Sequence, residues 1–172
     1  MATTSAQIAD RLSNSGPWHV PDHVVLRLHT LLASEDLEYL THDIGSEPEP
    51  DMDRGLYGVI VAFTSTRVIR LLLTAARGRP TSYERASVDA DTWSRKCLES
   101  LSLPAMLEDR AMNSDVAWDD PINTAFPFRA FIQLRYAGDR VVTVPASAEA
   151  HKQDRTALLE LLPSLCSDLA KV

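Results

Sequence analysis

Arg67, Arg70, Arg77, Arg79 and Arg85 concentrate positive charge in one stretch of a chain whose net charge is −7. A guanidinium presents a planar fork of donors that grips phosphate or carboxylate through paired hydrogen bonds. The chemistry on offer here is therefore recognition of a phosphorylated ligand. A plainer role fits the same spacing, and is favoured by it. Strand alternation places polar side chains outward at every second position, whatever else they do.

Residues able to do covalent or acid–base chemistry are present but not in working patterns. There is no Gly-x-Ser-x-Gly elbow, phosphate loop, Gly-x-Gly-x-x-Gly turn or His-Glu-x-x-His pair. His19 and His23 are four apart, but Pro21 lies between them and disfavours a helical metal pair; with His29 they read as surface or capping residues, and His42 and His151 stand alone. Asp119 and Asp120, like Asp51 and Asp53, fall in acidic stretches rather than in the apolar surroundings that perturb a carboxylate for catalysis. Glu47, Glu49, Asp51 and Asp53 do not form a calcium loop, because the glycine and terminal glutamate of that motif are missing. Cys97 and Cys166 have no neighbouring thiol or histidine at zinc spacing. They read as reduced, packed thiols, with pairing to each other left open. The expectation is a non-catalytic chain with no cofactor and no metal. Trp18, Trp93 and Trp118 are either buried or anchors of a protein interface, since both roles suit an amphipathic ring.

Composition bounds the partners. A length of 172 residues with 45% hydrophobic content suits a single domain spanning 1–172, with 1–20 as an N-terminal arm. Such a chain buries roughly 70% of its unfolded surface and needs no disulfide or metal to hold it. Net charge −7 and a pI near 5.1 argue against nucleic acid and against non-specific adhesion to anionic membranes. The first residues lack the basic start and apolar stretch of a signal peptide, and no uncharged run reaches the ~20 residues of a transmembrane helix. A cytoplasmic location is expected.

The elements that would carry these residues follow from periodicity. Ile8 and Leu12 share one face of a short helix over 6–12. A longer helix opens at Pro21-Asp22, with Asp22 as its N-cap, and buries Val24, Val25, Leu28, Leu31 and Leu32 before ending near Ser34. A strand is expected over 37–44. The β-branched run Val59-Ile60-Val61-Ala62-Phe63, the polar turn Thr64-Ser65-Thr66 and the apolar run from Val68 to Leu73 make a hairpin. Residues 83–93 read as a polar edge strand and 97–103 as another. A short helix is expected over 103–112. Alternation from Phe128 to Tyr136, a turn at Ala137-Gly138-Asp139 and the run Val141-Val142-Thr143-Val144 make a second hairpin. A final helix begins near Ala148, with Ser147 as N-cap and Glu149 at its positive end. It carries Leu158, Leu161, Leu162, Leu165 and Leu169 on one stripe, with Pro163 expected to kink or split it.

The order of these elements resembles the bacterial pleckstrin-homology-like (PH-like) domains over roughly residues 28–170. The likeness is carried by the helix ending in a Leu-Leu pair and by the acidic strand start Ser34-Glu35-Asp36-Leu37-Glu38. It continues through Gly58-Val59-Ile60-Val61-Ala62-Phe63-Thr64-Ser65-Thr66-Arg67-Val68-Ile69 and a closing hairpin followed by a leucine-rich helix. The resemblance implies an α+β fold: an antiparallel barrel or sandwich of about seven strands, with N-terminal helices and a capping C-terminal helix. It implies no fixed activity, because PH-like folds carry lipid, peptide and protein binding alike. The first reading is a module that recognises a protein partner or a second copy of the chain, its acidic surface suiting a basic partner. Alternatively, Arg67, Arg70, Arg77, Arg79 and Arg85 would hold a lipid head group or other phosphorylated ligand at the open barrel end.

Overall fold

The computed structural model describes residues 3–13, 19–46, 55–77, 88–103, 106–107, 110–113, 131–147 and 152–170. The expectations placed on Arg79, Arg85, Trp18, Trp118, His151, Glu149, the acidic stretch 47–54 and the pair Asp119-Asp120 lie outside the described residues. The fold is α+β, with antiparallel sheets and, among the described residues, three helices. No described helix is long and apolar enough to cross a membrane. The chain divides into two compact units, Met1–Trp93 and Ser94–Val172.

The first unit begins with α1 (Ser5–Ser13) and α2 (Asp22–Leu32). A reciprocal cap starts α1 one residue earlier than the expected 6–12. Thr4 Oγ1 accepts from the Gln7 backbone N–H (3.3 Å), while Gln7 Oε1 accepts from the Thr4 N–H (2.8 Å). This satisfies two of the donors that a helix N-terminus leaves open. At α2 the capping residue is Pro21, not Asp22, and its carbonyl accepts from Val24 and Val25. Asp22 therefore serves α2 only as a negative charge in the first turn, favourable to the helix dipole.

The strands β1 (Tyr39–Ser46), β2 (Leu56–Phe63), β3 (Arg67–Ala76) and β4 (Val88–Ser94) form one sheet in the order β1-β2-β3-β4. The hairpin expected at 58–73 is β2 and β3, paired antiparallel with Phe63 opposite Val68 and Val61 opposite Arg70. Alternation then sends Ile69, Leu71 and Leu73 to one face, where with Leu40, Ile44, Ile60 and Ala62 they meet Ile8, Leu12, Val24, Val25, Leu28 and Leu32 of the helices. Each such side chain contributes about 1.5–3 kcal/mol by leaving water. Gly58 is required where it stands: its φ is +132°, and a Cβ there would lie 1.9 Å from the Asp43 carbonyl oxygen.

The second unit opens with a 3-10 turn, η1 (Arg95–Cys97), leading into β5 (Leu98–Ser102). β6 (Met106–Leu107) and β7 (Arg110–Asn113) pair antiparallel, where a short helix was expected over 103–112. β8 (Ile132–Tyr136) and β9 (Arg140–Val144) form the second hairpin, and the sheet order is β5-β8-β9. Ile132, Leu134 and Tyr136 are buried as the alternation requires. None of the sheets closes into a barrel among the described residues.

The final helix, α3 (Lys152–Leu169), lies against η1 and β5. The expected start near Ala148, on which the Ser147 cap depends, lies outside the described residues. The chain continues as one helix through Pro163, which is exposed. Leu158, Leu161 and Leu165 are buried, while Leu162 and Leu169 are only half-buried. The stripe is completed by a charged residue, Asp168.

Candidate functional site

The arginine stretch is built on the β2–β3 hairpin, and its tip is a polar knot. The Thr64 N–H donates to the Arg67 carbonyl (3.0 Å), and Thr64 Oγ1 accepts from the N–H groups of Thr66 (3.3 Å) and Arg67 (3.0 Å). This hydroxyl-centred turn is what Thr-Ser-Thr encodes locally. Glu35, from the segment between α2 and β1, then fastens the tip from outside. It accepts from Thr64 Oγ1 (2.6 Å) and from Thr66 Oγ1 (2.7 and 2.8 Å), and pairs with Arg67 Nε at 3.1 Å. The Thr64 and Thr66 hydroxyls, aided by Arg67, hold the Glu35 carboxyl below its ordinary value despite some opposition from burial. Arg67 also donates to the Leu31 carbonyl of α2. Ala33 and Ser34 turn the chain toward Glu35 through positive φ angles of 50° and 70°, which non-glycine residues adopt at a cost.

Arg70 is three residues along β3 and therefore on the opposite face from Arg67. Its Nη2 meets Asp91 Oδ2 of β4 at 2.7 Å, and its guanidinium lies 5.8 Å from the ring centroid of Trp93. Trp93 is buried, at 8% exposure. Arg77 lies just beyond β3, where its carbonyl accepts from His23 Nε2 at 2.8 Å. Of the five arginines, the described three sit at separate places: Arg67 at the hairpin tip, Arg70 on the sheet face away from the helices and Arg77 beside α2. They do not converge on one phosphate-sized position.

A second charged cluster lies wholly within the second unit and was not foreseen. Arg95 is 1% exposed, and its Nε and Nη2 hold the same oxygen of Asp168 at 3.0 and 2.9 Å. Its Nη2 also donates to Ser164 Oγ. Burial pushes the Tyr136 phenol well above its ordinary value; the nearby Arg95 opposes this and Asp168 adds to it. The one available signal was Asp168 itself, a carboxylate three residues beyond Leu165 on an apolar stripe. Arg95 gave none, because it stands between Ser94 and Lys96.

The two cysteines are unpaired and exposed, correcting the expectation of packed thiols. η1 turns Arg95 inward and leaves Cys97 outward. On α3 the buried positions 161, 165 and 168 put Cys166 on the far side. Among the described residues no three histidine, cysteine or acidic side chains gather as metal ligands would. No protein-family model, curated protein or solved structure matches this chain.

Proposed function

We propose that this chain is a non-catalytic PH-like binding module that recognises a protein partner or a second copy of itself. The sandwich reading is supported by four strands in one antiparallel sheet, three in the next and an amphipathic helix at the end of the order. The observation that carries protein binding over phosphate binding is the state of the arginines. Arg67 and Arg70 are each held by a carboxylate of their own unit. An incoming phosphate would have to compete with Glu35 or Asp91 for the guanidinium and lie beside that like-charged carboxylate. A net charge of −7 favours a basic partner, since complementary charge steers encounter and fixes register.

Two measurements test the reading. Light scattering across a concentration series reports self-association, and cross-linking with mass spectrometry reports a partner contact and its residues. A second species or a reproducible cross-linked partner is expected. Co-sedimentation with vesicles carrying phosphorylated inositol lipids is expected to fail. Vesicle binding that disappears in the Arg77→Glu/Arg79→Glu double variant would overturn the proposal in favour of a phosphorylated ligand.

A further inference from the structure

We draw no further inference here: the strongest candidate, the exposed outer edge of β4 at residues 89–92, carries nothing, because aspartates such as Asp89 and Asp91 are what keeps a sheet edge from pairing and nothing in the structure shows what covers it.

Discussion

Arg70 and Arg95 each hold an aspartate oxygen at closely similar distance, 2.7 Å to Asp91 and 2.9 Å to Asp168, yet their surroundings are opposite. The Arg70 and Asp91 side chains are 38% and 53% exposed, whereas those of Arg95 and Asp168 are 1% and 11% exposed. Water screens the first pair and competes for it, so its net worth is about 0–1 kcal/mol. The second pair has given up its hydration, which costs several kcal/mol per ion, and only a complete set of partners compensates. Ser164 and the two-nitrogen grip on Asp168 supply part of that set. Similar geometry thus yields a marginal contact in the first unit and, in the second, one that is costly to break by halves. The difference lies in solvent, not in distance.

The largest expected effect is removal of one member of the buried pair. Asp168→Ala leaves a guanidinium buried without its counter-ion and should lower stability by about 3–5 kcal/mol, measured as a shift in the urea midpoint. Replacing both members by apolar residues of similar volume, Arg95→Met with Asp168→Leu, should recover most of that loss. If the double variant is as unstable as the single one, burial is not what makes the pair costly to break, and the contrast fails.

Next in size is the hairpin tip, which is intermediate in exposure. Thr64 is fully buried and its hydroxyl serves Glu35 and two backbone N–H groups. Thr64→Val keeps the shape and should cost about 1–3 kcal/mol by leaving those groups unmatched. Faster amide exchange at Thr66 and Arg67 would accompany it.

The same knot has a pH signature. The Glu35 carboxyl titrates below its ordinary 4.5 when folded. Its stabilising contribution is therefore complete above the unfolded value and is lost as the pH falls through the folded one. Stability measured from pH 7 downward should fall less steeply in acid for Glu35→Gln than for the unaltered chain. Parallel profiles would show that Glu35 titrates alike in both states.

The smallest effect is expected at Arg70. Arg70→Ala removes a screened ion pair and an edge-strand cation–ring contact, together about 0.5–2 kcal/mol. Raising the salt concentration should shrink even that difference, while leaving the penalty of Asp168→Ala nearly unchanged.

Much of the secondary structure is legible in the sequence. Val59 to Phe63 and Val68 to Leu73 announce two strands because β-branched side chains crowd a helix backbone and suit a pleated one. The turns at Thr64-Ser65-Thr66 and Ala137-Gly138-Asp139 are read from side chains that bond or free their own backbone. The stripe of Leu158, Leu161 and Leu165 marks a buried helix face even with Pro163 in its midst. The Thr4–Gln7 cap is equally encoded, in Thr-x-x-Gln. The misreading at 103–112 has another cause: over so few residues the apolar spacing is compatible with both periods, and pairing of β6 with β7 decided between them.

The candidate site divides along the same line. That Arg67 and Arg70 stand on a hairpin strand follows from local sequence, since periodicity and turn chemistry act between near neighbours. What each arginine faces depends on how distant segments pack. Glu35 reaches Thr64 across 29 residues, and Asp168 reaches Arg95 across 73. No local rule encodes such partners, because they exist only after helix and sheet faces have left water together. Whether an arginine is a free cation or one half of a buried pair is therefore a property of the packed chain.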